Sequence, residues 1–183
     1  KMTDLNGVDY IGLSSSELHG RNFDQETSRS AVGQPIGSFF VYEADGLFQS
    51  DAEIQNYKND RGELLQPNAK PGDIRFKDLN GDGVINSDDR DFKGNPLPDC
   101  SMGLTLGFNY KNFDVSAFFQ GVFGNEVYNL TNYLGEFYNQ AQYNKNSTIL
   151  DAWRPDNTDT DIPRVTLDDP NNNIRPSTYY IHN

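Results

Sequence analysis

Twelve consecutive residues carry the densest chemistry in this chain: Asp78-Leu79-Asn80-Gly81-Asp82-Gly83-Val84-Ile85-Asn86-Ser87-Asp88-Asp89. Oxygen-bearing side chains stand at the first, third and fifth positions, glycine at the sixth and a carboxylate at the twelfth, which is the spacing of a calcium loop. Alternate residues aim Asp78, Asn80 and Asp82 at one point. Gly83 permits the sharp turn, the Val84 carbonyl supplies a backbone oxygen, Ile85 anchors the loop inward, and Asp89 closes the shell from the far side. The pattern predicts Ca2+ in a structural role, pinning a long loop. The twelfth residue is Asp where Glu is usual. Its shorter arm suits a compact loop without a full helix on each side, and an extracellular-type affinity of about 10⁻⁴–10⁻³ M. Without a metal, the same residues would form a loop of Asx turns.

Catalytic patterns are poor by comparison. The two histidines, His19 and His182, have no partner at zinc-ligand spacing, and there is no nucleophile elbow, phosphate loop or dinucleotide fingerprint. Neighbouring carboxylates such as Asp88/Asp89 and Asp168/Asp169 say nothing about the separation in space that a glycosidase pair requires. The chain reads as a non-enzyme. A second recognition feature is the aromatic cluster Tyr128, Tyr133, Phe137, Tyr138, Tyr143 and Trp153, set among Asn and Gln. Rings with amide neighbours suit sugar or peptide recognition, with Tyr128, Tyr133, Tyr138 and Trp153 as candidate contacts. The bland alternative is that these rings pack loops together.

The elements that must position these residues are mostly short. A capping-box spacing at Ser14 and Glu17 predicts a helical turn near 14–19, within an otherwise polar stretch 1–35. Residues 36–48 read as two short strands around Ala44-Asp45-Gly46. Ser50 and Glu53 open a helix to about Asn59. Asp73–Phe76 is a strand candidate just before the calcium motif. Leu130, Leu134, Phe137 and Tyr138 have helical spacing, another short helix is expected over 147–153, and residues 154–183 lack any period.

The clearest period runs from Cys100 to Tyr110. Cys100, Met102, Leu104, Leu106, Phe108 and Tyr110 alternate with Ser101, Gly103, Thr105, Gly107 and Asn109. After Lys111-Asn112 it resumes, with Phe113, Val115, Ala117 and Phe119 on one face; only Phe118 breaks the other. This predicts a tight hairpin with one apolar and one small or polar face. Eleven residues at ~3.3 Å each span about 36 Å, or roughly 28 Å when tilted by about 40°, close to the ~25 Å apolar band of an outer-membrane barrel. Strands of soluble sandwiches are usually shorter. Tyr110 and Phe113 flank the turn, where an interfacial aromatic girdle would lie.

Composition narrows the partners. The formal charge of −12 excludes a phosphate-backbone binder of nucleic acid and opposes adsorption to anionic lipid. A single cysteine, Cys100, excludes an internal disulfide framework. No signal-peptide pattern is present and the sequence opens on Lys1-Met2, so a mature product and a piece of something larger are both open.

Several ordered motifs together resemble a known family. GQPIGSFFVYEADGLFQ, PGDIRFKDLNGDGVINSDDRDFKGNPLPD, SAFFQGVFGNEVYN and WRPDNTDTDIPR are similar to the C-terminal part of SusC/RagA-type TonB-linked outer-membrane transporters, with the resemblance running from about Asn6 to Arg175. The resemblance implies large plugged barrels of about 22 strands. It also implies oligosaccharide or peptide uptake beneath a SusD-like surface lipoprotein, powered by TonB through parts absent here. The expected fold is mainly β: a fragment of a transmembrane barrel with one membrane hairpin (98–123), in contact with outer-membrane lipid. Two extracellular loop regions would flank it, 1–97 with the calcium motif and 124–183. The alternative is a soluble, calcium-stabilised extracellular module that binds glycan.

Overall fold

The computed structural model describes residues 1–14, 26–136 and 144–182. Its longest elements are the two strands β7 (Cys100–Tyr110) and β8 (Phe113–Phe123), which pair antiparallel in unbroken register from Cys100↔Phe123 to Tyr110↔Phe113. Directly opposed residues share a face. Leu104 therefore sits beside Phe119, Leu106 beside Ala117 and Phe108 beside Val115, whereas Gly107 sits beside Ser116 and Asn109 beside Asp114. The alternation in sequence becomes one apolar and one small, polar face, as expected. Phe118 is the exception on the polar face. Its ring lies over Gly103, where a Cβ would meet it at ordinary contact distance, 3.4 Å. Almost every residue of the hairpin is exposed, on both faces.

The flanking segments build a separate packed body. Strands β1 (Tyr10–Ser14), β2 (Glu26–Ala31), β3 (Ser38–Tyr42) and β6 (Arg90–Gly94) form an antiparallel sheet in the order β1-β2-β3-β6. The first two strands lie in a stretch whose sequence showed no period. Ser14 ends β1 rather than opening a helical turn, and residues 15–19 lie outside the described residues. Their sheet is fastened by polar chemistry: Arg29 pairs with Glu26 at 2.6 Å and lies 3.7 Å from the ring centroids of both Tyr10 and Phe40.

The two strands expected over 36–48 exist as β3 and β4 (Ala44–Leu47), but Ala44-Asp45-Gly46 is part of β4 and not a turn. The strands do not pair with each other. β3 joins the four-stranded sheet, and β4 pairs with β5 (Ile74–Phe76). Helix α1 (Asp51–Asn56) starts where expected, with Ser50 Oγ accepting the Glu53 N–H. It stops before Asn59 because the chain doubles back: Lys58 bridges Leu64, and the Tyr57 hydroxyl donates to the Phe76 carbonyl at 2.7 Å. Helix α2 (Leu130–Glu136) matches the helical spacing as far as it is described; Phe137 and Tyr138 lie outside the described residues. Ser147–Asp151 winds as a 3₁₀ helix.

The main core joins segments from both sides of the hairpin. Leu47, Ile74 and Phe76 from before it pack with Trp153 and Tyr180 from after it. The terminal segment has no period because amide and charged side chains fasten it. β5 pairs with β4 on one edge; on the other, Asn173 Oδ1 accepts the Ile74 N–H at 2.9 Å and Gln66 Oε1 accepts the Phe76 N–H at 2.8 Å. Asn171 Nδ2 and Gln66 Nε2 both donate to the Ile74 carbonyl. Three side-chain amides thus stand in for a missing strand. Strands β9 (Val127–Tyr128) and β10 (Ile181–His182) pair to close the segment onto the body.

Candidate functional site

The acidic loop follows β5 directly and curls around its own carboxylates. Asp78 accepts the N–H groups of Gly81 at 2.7 Å and Gly83 at 2.8 Å. Asn80 Oδ1 accepts the Asp82 N–H, and Asp82 Oδ1 accepts the Val84 N–H, each at 2.8 Å. Gly83 has φ +90°, and a Cβ there would lie 2.6 Å from Asn59 Nδ2, so glycine is needed for both conformation and space. Ile85 packs against the main core, the inward anchor expected of it. Asp89 is fully buried and accepts the Leu79 and Asn86 N–H groups at 2.8 Å each, tying the twelfth residue of the loop to the second and ninth. The Val84 N–H, together with the Asn80 and Asn86 amides, holds the Asp82 carboxyl below its ordinary pKa.

The donor set is all oxygen, which suits a hard cation, and a carboxylate oxygen that accepts one N–H keeps a second lone pair. Asp78, Asn80, Asp82, the Val84 carbonyl and Asp89 are the residues that would hold it. Acidic groups alone do not complete a shell. Among the described residues no three His, Cys, Asp or Glu side chains gather to hold an ion. The Asn80 and Val84 oxygens would have to contribute, and the Nδ2 groups of Asn80 and Asn86, now 3.1 and 3.2 Å from Asp82 Oδ2, would have to give way.

Of the aromatic candidates, the two whose side chains are described pack against other segments. Trp153 is buried, donates its indole N–H to Gln49 Oε1 at 2.9 Å, and packs so tightly on Gly72 that a Cβ there would lie 2.5 Å from the ring. Tyr128 is half-buried, with ring centroids 5.6 Å from Tyr180 and 6.0 Å from Phe39. Tyr133 lies on α2 and Tyr138 lies outside the described residues. At Trp153 and Tyr128 the rings pack against neighbouring segments.

Sequence reasoning missed a buried polar centre around Asp73. This fully buried carboxylate receives Arg164 Nε at 2.6 Å, Arg164 Nη2 at 3.2 Å, Asn173 Nδ2 at 3.0 Å and the Lys70 N–H at 2.8 Å. Beside it, burial raises the Asp169 pKa against the pull of the Asn173 and Ile174 N–H groups. The signal available in sequence was the run Asn171-Asn172-Asn173 in a segment too polar to have a core of its own.

No helix among the described residues is long and apolar enough to cross a membrane, which leaves strands untouched by that test. The feature without a soluble counterpart is the hairpin, whose apolar face has no covering from the body. A long two-faced antiparallel ribbon of this length is the kind of element from which outer-membrane β-barrels are built.

Comparison with known proteins agrees. No family model matches the chain. It is 38% identical over 165 residues to TonB-dependent receptor P26 of Formosa agariphila, covering 90% of this chain and 16% of the relative. It is 36% identical over 167 residues to TonB-dependent receptor P3 of the same organism, covering 91% and 16%. TonB-dependent receptor SusC of Bacteroides thetaiotaomicron matches at 29% over 128 residues, 70% of this chain and 11% of SusC. By sequence the chain belongs with the TonB-dependent receptors, SusC among them, and spans about a sixth of the length of the curated relatives first named. These receptors are proteins of the outer membrane, and the chain is placed there with them.

Proposed function

We propose that this chain supplies one membrane-crossing hairpin, and the extracellular body above it, to a TonB-dependent outer-membrane nutrient importer. The cargo is an oligosaccharide or peptide, a SusD-like surface lipoprotein covers the outer opening, and TonB acts through other parts of the receptor. The observation that carries the reading is the exposed apolar face of β7–β8, with Leu104 55%, Leu106 53% and Phe108 64% accessible in a chain that is otherwise able to build a core. A soluble glycan-binding module would leave that patch in water, where it promotes aggregation.

Single cysteines in the complete receptor, in its own membrane, test the assignment of faces. Those at Leu104, Leu106 and Phe108 will resist a membrane-impermeant thiol reagent and will be quenched by lipids labelled along the acyl chain. Those at Thr105 and Gly107 will show neither acyl-chain quenching nor lipid protection. Equal labelling of both faces would remove the membrane assignment.

The acidic loop is proposed as a structural Ca2+ site that stiffens the body next to β5. One metal at about ten times its dissociation constant stabilises a fold by about 1.4 kcal/mol. Chelation is expected to lower the melting temperature of the body and added Ca2+ to restore it. Asp82→Ala, at an exposed position, will leave the body folded and insensitive to both. If the alanine variant responds to chelator as the parent does, the ion sits elsewhere.

A further inference from the structure

The turn end of the hairpin carries a charge that neither the fold nor the import reading explains. Lys111 and Asn112 connect the final pair Tyr110↔Phe113. Lys111 has φ +53°, a conformation that glycine occupies without steric cost and that lysine does not favour. It is the sole basic residue between Asp99 and Gly124, in a chain of net charge −12. Among the described residues its ammonium has no carboxylate partner, although Asp114 stands nearby on the opposite face, across from Asn109. Its Nζ lies 5.4 Å from the centroid of the Tyr110 ring. The Tyr110 ring stacks on Phe108 at 6.4 Å and 16°, and Tyr110 and Phe113 are 57% and 72% accessible. At the other end of the ribbon the nearest charges are Asp99 and Glu126, both acidic, and Glu126 Oε2 accepts the Asn95 N–H.

We propose that this turn is a docking point for the headgroup of an anionic phospholipid, with Lys111 Nζ on the phosphate and the Tyr110 and Phe113 rings at the boundary between acyl chains and headgroups. Two physical preferences coincide there. Aromatic rings with one wet edge settle at the membrane interface. A lysine whose stem lies along such a ring extends its charge out to the phosphate level. The acidic end of the ribbon repels the same headgroups, so the charge pattern also orients the hairpin, with its turn at the phospholipid leaflet and the body at the other surface. The inference rests on the hairpin crossing the outer membrane.

The test uses the complete receptor in phosphatidylcholine vesicles, with a fluorophore on Asn112→Cys as its only cysteine, Cys100 being replaced by serine. Quenching is measured with headgroup-labelled phosphatidylglycerol and with headgroup-labelled phosphatidylcholine. One lysine near an anionic surface favours the charged lipid by about fivefold. That preference is expected at low salt, lost at high salt and in Lys111→Gln, and kept in Lys111→Arg. Lys111→Gly relieves the backbone and preserves the turn, so it too will lose the preference while headgroup quenching itself persists. Equal quenching by the two lipids in the parent, or an unchanged preference in Lys111→Gln and Lys111→Gly, overturns the proposal. A second fluorophore at Leu106, quenched by acyl-chain-labelled lipid, keeps the two readings apart. If it is quenched and position 112 shows no preference, the docking point alone fails; if it is not, the membrane crossing fails with it.

Discussion

Replacing Asp73 with alanine is expected to destabilise the packed body by about 3–5 kcal/mol, the cost of breaking a buried ion pair from one side. Asp73 is fully buried, and only about a fifth of the Arg164 side chain is accessible. The alanine would take away that guanidinium's carboxylate partner at 2.6 Å, together with the acceptor of Asn173 Nδ2 and the Lys70 N–H. Asn173 also caps the free edge of β5 through the Ile74 N–H, so its displacement would unfasten the strand next to the acidic loop. A body with a net stability of 5–15 kcal/mol would lose much of it.

Two companion variants separate the causes. Asp73→Asn keeps the acceptor oxygen and removes the charge, and should cost less than alanine. The pair Asp73→Ala with Arg164→Met removes both charges and is expected to recover part of the loss, since the penalty lies in the unpaired charge more than in the missing bond. Protease sensitivity of the body in the intact receptor provides the measurement, with hairpin labelling as a control that should not move. If Asp73→Ala digests no faster than the parent, residues 161–176 are not held through this centre.

How much of this was legible in sequence depended on which force fixed each element. Where side chains alternate between two unlike faces, periodicity reports it: β7 was readable to the residue, and β8 from Phe113 as far as Phe119, short of its end at Phe123. Where a local hydrogen bond dominates, as at Ser50 before α1 or in the Asp78–Asp89 loop, the spacing of a few oxygens was sufficient. Residues 154–182 escaped because they are fastened by long-range polar contacts, from Arg164 to Asp73 and from Asn173 to Ile74, about a hundred positions apart in the chain. Such contacts leave no local pattern. β1 and β2 were hidden for a related reason: Glu26-Thr27-Ser28-Arg29-Ser30 alternates in nothing, and the strand exists through its ladder to β1 and β3 and through Arg29 between two rings. The surroundings of Trp153 were hidden in the same way: sequence shows a ring among amides but does not show that Gly72 and Gln49 pack against it.

Leu106→Arg tests the physical basis of the membrane assignment most severely. Leu106 lies at the middle of β7, opposite Ala117, on the face shared by Leu104, Phe108 and Val115. An arginine on the lipid face of a barrel at the bilayer midplane costs about 2–4 kcal/mol, and the cost falls to about 0–1 kcal/mol near the interfaces. Thr105→Arg, one residue away, places the same side chain on the opposite face beside Phe118, where a water-filled lumen would solvate it. The expected result is therefore a difference between neighbours, measured as the temperature at which the folded barrel loses its anomalous gel mobility. Leu106→Arg should fall well below the parent and Thr105→Arg should stay close to it. Ser101→Arg, near the end of the strand on the same face as Thr105, should also be tolerated. Helix or loop propensity predicts no such alternation, and a hairpin buried against protein on both faces would penalise both neighbours. Because a one-residue slip exchanges the two faces, the sign of the difference also reads the strand register directly. Equal losses at 105 and 106 would mean that neither face meets lipid.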